Sequence, residues 1–130
     1  MEHIGTIFLI DDDTVVNYLH AKALSRAGVI NTKAFDKADE ALEFFKQEGD
    51  TGSKDVIFLD LNMPGMDGWE FLEAFRALPE SVTGNYRVLI ISSSIDPKDI
   101  ERSKTFDVHA FVSKPLTSDK MTDLLARLNA

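Results

Sequence analysis

The chain has 130 residues, 44% of them apolar, the size and composition of one globular domain with a core, and it leaves no room for a second. Its formal net charge of -8, with Lys and Arg scattered singly among acids as in DKADEALEFFKQE, argues against binding a nucleic-acid backbone, and the lack of cysteine excludes disulfides and thiolate metal sites. No apolar run approaches the roughly 18 residues of a membrane span and the start MEHIGT carries no hydrophobic signal segment, so a soluble protein of the cytoplasm is expected.

TIFLI (6–10) predicts the first strand, and DDDT follows it at once. Residues 14–27 predict the first helix, with Val15, Val16, Leu19, Ala23 and Leu24 on one side and Gly28 as a left-handed stop. VINTKAF (29–35) is more polar and predicts an edge strand. A second helix is expected over 37–48, with Ala38, Ala41, Leu42 and Phe45 inward and Gly49 at its end. DVIFLD (55–60) predicts the third strand, and Phe71, Leu72 and Phe75 mark the third helix. PESVTGNY reads as a loop. RVLIIS (87–92) predicts the fourth strand, a fourth helix carries Ile100 after Pro97, AFVS (110–113) predicts the fifth strand, and Met121, Leu124, Leu125 and Leu128 mark the last helix.

Several strand segments are continuously apolar, as strands buried on both faces must be, and strand and helix alternate five times. The expected fold is α/β, a doubly wound, five-stranded parallel sheet flanked by five helices. Ligands on such sheets collect at the carboxyl ends of the strands. There the sequence places Asp11 and Asp12 after the first strand, Asp60 after the third, Ser92 at the end of the fourth and Lys114 after the fifth.

Carboxylates gathered at one rim repel, by about 4 kcal/mol for two charges about 4 Å apart at an effective dielectric near 20. Something positive must sit among them. Oxygen ligands alone suit a hard divalent cation, and Mg2+ fits a small acidic pocket; Lys114 supplies a second positive charge. Asp13 or Thr14 also has a plainer role, as N-cap of the first helix. His3, His20 and His109 are too dispersed for a ligand cluster and read as surface or filler residues.

Four stretches together resemble the receiver domain of two-component response regulators, of the chemotaxis regulator type: LIDDD, FLDLNMPGMDGWEFL, IISSS and FVSKPL, in this order across essentially the whole chain. The resemblance implies a flavodoxin-like sheet of order 2-1-3-4-5 and a single receiver domain over residues 1–130. It implies Asp60 as phospho-acceptor, Asp11 and Asp12 as the acidic pair, and Mg2+ held by Asp12, Asp60 and the backbone carbonyl of Asn62. Ser92 would bond the phosphoryl oxygen and Lys114 would pair with that group, while Asp13 is an extra. Lys114-Pro115 is expected to be a cis peptide, and Pro64, Gly65 and Gly68 to shape the loop after Asp60. Ser92 and Phe111 would form the switch, with the fourth helix, fifth strand and fifth helix as the surface for an unknown downstream protein. Phe111 stands where a tyrosine is common, so coupling there rests on packing. The implied partner is a sensor histidine kinase or phosphotransfer protein, and the implied chemistry is limited to the domain's own phosphorylation and dephosphorylation, not that of an enzyme with turnover. No output domain is expected after the last helix, as in a stand-alone regulator or a receiver excised from a longer chain.

Two rivals remain at this stage. A haloacid-dehalogenase-like phosphatase uses D-x-D-x-[T/V] after a strand, which Asp11, Asp13 and Val15 satisfy, but it leaves DLNMPGMDG unexplained. A pseudo-receiver would be a binding module that takes no phosphate, an assignment at odds with a complete set of acidic pair, acceptor, hydroxyl and lysine.

Overall fold

The computed structural model describes residues 4–94 and 96–129, so His3 lies outside the described residues. In chain order the elements are β1 (Ile7–Ile10), α1 (Thr14–Arg26), β2 (Thr32–Phe35), α2 (Ala38–Glu48), β3 (Asp55–Leu59), α3 (Gly68–Arg76), α4 (Glu80–Thr83), β4 (Tyr86–Ser92), α5 (Pro97–Ser103), β5 (Ala110–Ser113) and α6 (Ser118–Leu128). The strands form one parallel sheet in the order β2-β1-β3-β4-β5, the flavodoxin-like order expected.

Side chains of the inner strands alternate between two cores, the period of two that a pleated strand imposes. Phe8, Ile10, Ile57, Leu59, Val88 and Ile90 face the side covered by α2 and α3, where Phe45, Phe71 and Phe75 lie. Ile7, Leu9, Val56, Phe58, Leu89 and Ile91 face the other side, against Leu24 of α1 and Met121, Leu124, Leu125 and Leu128 of α6. Burial on both faces is why these segments read as unbroken apolar runs.

Register then decides what stands at the rim. Ile10 pairs with both Phe35 and Leu59, Leu59 with Ile90, and Ile90 with Phe111, so one row crosses the whole sheet. The next residues of β1 and β3 are Asp11 and Asp60, which the shared row places side by side.

Three expectations need correction. The predicted inner face of α1 is rotated: Asn17, His20 and Leu24 are buried, whereas Val15 and Leu19 are 62% and 55% exposed. Polar anchors set this phase. Asp13 Oδ1 accepts from the amides of Val15 and Val16, and the Asn17 side-chain amide donates to the Asp11 carbonyl at 2.8 Å, drawing that edge inward. Second, β2 begins at Thr32 instead of Val29, because the end of α1 takes up the intervening residues. Gly28, at φ +97, donates to the Ser25 carbonyl, and Val29 donates to that of Leu24, closing a Schellman motif. Third, the loop expected at PESVTGNY contains the helical turn α4, anchored by buried Val82; one apolar residue leaves no period to read. Six helices are therefore described where five were expected, and the predicted fourth and fifth are α5 and α6.

Phe45 is the hub of the aromatic core. It is fully buried and meets Phe8 at 5.0 Å, Tyr86 at 4.7 Å and Phe75 at 6.0 Å between ring centroids. Phe45→Ala is expected to cost about 3–5 kcal/mol, read as a lower midpoint of urea unfolding, whereas a substitution of exposed Leu19 by Ala should stay within about 0.5 kcal/mol.

Candidate functional site

The rim of the sheet extends its ladder one bond past the strands. Asp60 donates its amide to the Ile10 carbonyl at 2.9 Å, Asp11 to that of Phe35 at 3.1 Å, and Lys114 to that of Ser92 at 2.8 Å. These bonds hold the backbone of all three residues in place before any side chain is considered. Asp11 and Asp60 are buried, each side chain 7% exposed, and Asp12 lies exposed beside them. One ligand oxygen from each of Asp11, Asp12 and Asp60 can be chosen so that all lie within 4.8 Å of one another.

Lys114 answers the repulsion. Its Nζ lies 2.7 Å from Asp11 Oδ2 and 3.3 Å from Asp60 Oδ1, and the following Lys114-Pro115 bond is cis, as the resemblance implies. Burial, and then the charge of Asp11, pushes the Asp60 carboxyl above its ordinary pKa, against Lys114 and a backbone hydrogen bond from Asn62. For Lys114, burial pulls the ammonium down, but the bond to Asp11 and the charges of both aspartates outweigh it and the net shift is upward. The ammonium is thus charged at neutral pH.

The other predicted residues fall around this pair. Ser92 closes β4 fully buried, its Oγ accepting from the Ser94 amide at 3.0 Å. Phe111 is partly buried on β5 and packs against the core that faces α2 and α3. Asn62 is exposed two residues beyond Asp60. In the loop after Asp60, Gly65 has φ +73, and a Cβ on Gly68 would sit 2.6 Å from the Asp60 carbonyl oxygen, so both glycines are required by the turn itself. Asp67 and Glu70 then close a capping box that starts α3.

Asp13 stands apart from the acidic cluster, spending its carboxylate on the cap of α1. That removes the acid-base residue on which the phosphatase rival depended. Two neighbours were not placed at the site from the sequence: Asn17 was not singled out, and His20 was read as a surface or filler residue. Asn17 ties α1 to the Asp11 carbonyl, and buried His20 has its pKa lowered first by burial and then by Lys114, against Asp11, which keeps the imidazole neutral near pH 7. Their spacing with Leu24, at i, i+3 and i+7, was the available signal, obscured by the stronger apolar stripe.

A family model for the response regulator receiver domain matches residues 7–126. The chain belongs to that family. This receiver is 34% identical over 120 residues to the two-component response regulator ORR1 of Oryza sativa subsp. japonica, covering 88% of this chain and 51% of that protein. It is 27% identical over 126 residues to the hybrid signal transduction histidine kinase L of Dictyostelium discoideum, covering 95% of this chain and 7% of that one. The receiver thus spans about half of the former and a small part of the latter. Among solved structures, a response regulator receiver protein from Dyadobacter fermentans superposes with a TM-score of 0.83 at 30% identity, covering 94% of this chain and 95% of that chain.

The receiver's pocket fits a hard divalent cation on its donor chemistry. Its titratable donors are all carboxylates, and three carboxylates against one ammonium leave surplus negative charge at a rim open on the Asp12 side. Among the described residues no helix is long and apolar enough to cross a membrane.

The raised pKa of Asp60 carries a sign. The folded receiver keeps that proton to a higher pH than the unfolded chain does, so this group withdraws stability as pH rises through its folded value. Asp60→Asn is therefore expected to be more stable than wild type to urea at pH 7 in chelator, with the gap closing as pH falls and Asp60 becomes protonated in both states. A lower urea midpoint for Asp60→Asn than for wild type at pH 7 would contradict the electrostatics described.

Proposed function

We propose that this chain is the phospho-accepting receiver of a phosphorelay, taking a phosphoryl group on Asp60 from a phosphohistidine of a sensor histidine kinase or phosphotransfer protein, or from a small acyl phosphate. A carboxylate oxygen of Asp60 forms the new P–O bond while the bond from phosphorus to the donor breaks, its electron pair leaving with the donor. An ionised Asp60 needs no general base. The observation that carries the reading is Lys114, whose ammonium reaches both buried carboxylates and can transfer its hydrogen bond from Asp60 to a phosphoryl oxygen.

Asp12, Asp60 and the Asn62 carbonyl would hold Mg2+, with Asp11 beside them. When bound, the ion would help neutralise the phosphoryl oxygens, the effect on which phosphoryl transfer chiefly depends. Ser92, at the tip of the neighbouring strand, would donate its hydroxyl proton to the same group. Its movement would vacate space that Phe111 can fill, altering the face formed by α5, β5 and α6, where a downstream protein would bind. Phe111 has no hydroxyl, so this coupling rests on packing.

The donor would dock beside the pocket, on α1. Val15, Tyr18 and Leu19 form an exposed apolar stripe on α1, beginning three residues after Asp12 at the mouth of the pocket. The chain would act in the cytoplasm, turning over no substrate beyond its own phosphoryl group.

Incubation with acetyl phosphate and Mg2+, followed by intact mass, is expected to add one phosphoryl group to wild type and none to Asp60→Asn. Lys114→Ala should still be labelled but lose the response of the α5-β5-α6 face, seen as unchanged amide shifts there. Full labelling of Asp60→Asn would contradict the acceptor assignment, and no labelling of wild type would favour an inert binding module.

A further inference from the structure

Between β4 and α5 runs a chain of hydrogen bonds that phosphoryl transfer itself does not use. Ser94 is its centre. Its amide donates to Ser92 Oγ at 3.0 Å, its hydroxyl donates to Asp99 Oδ2 at 2.6 Å, and its hydroxyl oxygen accepts from the Asp96 amide at 3.2 Å. Ser92 is the fully buried hydroxyl at the tip of β4, and Asp99 lies in the first turn of α5. One partly buried serine thus joins the inner hydroxyl to the outer helix.

The bond to Asp99 is short and ends on a carboxylate, the geometry of a charge-assisted hydrogen bond. Asp96 strengthens the same corner by capping α5 through the Lys98 amide at 2.9 Å. When Ser92 moves toward an anion on Asp60, the Ser94 amide bonded to it must either follow or let go. Ser94 cannot follow while its hydroxyl stays on Asp99.

We propose that Asp99, acting through Ser94, is a positioning residue that holds Ser92 in its resting place, and that release of the Ser94–Asp99 bond accompanies switching. The inference rests on Asp60 as the acceptor and adds a restraint on the resting state of that site. Removing the restraint lowers the cost of the switched state, so a ligand that selects that state binds more tightly.

The molecule carries its own reporter. Trp69 of α3 is the single tryptophan, and the Arg102 guanidinium of α5 lies 4.4 Å from its ring centroid, with Phe106 at 5.9 Å on the same ring. Its emission therefore senses where α5 lies.

The test is the apparent affinity for beryllofluoride in saturating Mg2+, followed by Trp69 fluorescence, in wild type, Ser94→Ala, Ser94→Thr, Asp99→Ala and the double alanine variant. Ser94→Ala and Asp99→Ala should each tighten binding by about fivefold, the effect of one net hydrogen bond, and the double variant by no more than either. Ser94→Thr, which keeps the hydroxyl, should match wild type. Unchanged or weakened binding in the single variants, or additive effects in the double, overturns the proposal. A saturable response that persists in Asp60→Asn, or is absent in wild type, overturns the acceptor reading and the restraint with it.

Discussion

A single ammonium between two buried carboxylates is the interaction on which this domain's rim depends. The pairing of Ile10 with Leu59 sets Asp11 and Asp60 side by side, and the backbone of each is fixed by an amide bond to the neighbouring strand. Lys114 makes that proximity tolerable, at 2.7 Å and 3.3 Å from the two. A buried charge cluster of this kind adds little net stability, since desolvation offsets most of the attraction. Its value lies in being held ready and incompletely neutralised.

That imbalance is what gives the pocket its chemistry. The raised pKa of Asp60 and the charged Lys114 describe one strained arrangement, relieved whenever further positive charge enters from the side of Asp12. Under the proposed acceptor role, a phosphoryl group on Asp60 would change the balance again, offering Lys114 and Ser92 a new acceptor. The loop bonds around Ser94 and the aromatic and arginine stack on Trp69 lie where such a rearrangement would reach α5.

Much of this was legible in the residues alone. Unbroken apolar runs identify β1, β3 and β4 because burial on both faces leaves no polar position, and the fold rule then gathers Asp11, Asp12, Asp60, Ser92 and Lys114 at one end. The rotation of α1 was not legible, since Val15 and Leu19 form a real apolar stripe that the Asn17 anchor turns outward. Nor was α4, a single turn with one buried valine. The bonds of Ser94 were hidden for a different reason: a run of three serines and two nearby aspartates admits many pairings, and only backbone geometry selects one.

The central claim is that the Asp60 carboxylate, set among Asp11, Asp12 and Lys114, is where phosphorus is taken up. A crystal structure of the protein with Mg2+ and beryllofluoride tests it most directly. The account predicts beryllium on an Asp60 oxygen, a metal ion touching Asp12 and Asp60, and Lys114 Nζ and Ser92 Oγ within hydrogen-bond distance of fluorine. Beryllofluoride bound elsewhere, or a pocket unchanged with Lys114 still bridging both aspartates, would contradict it.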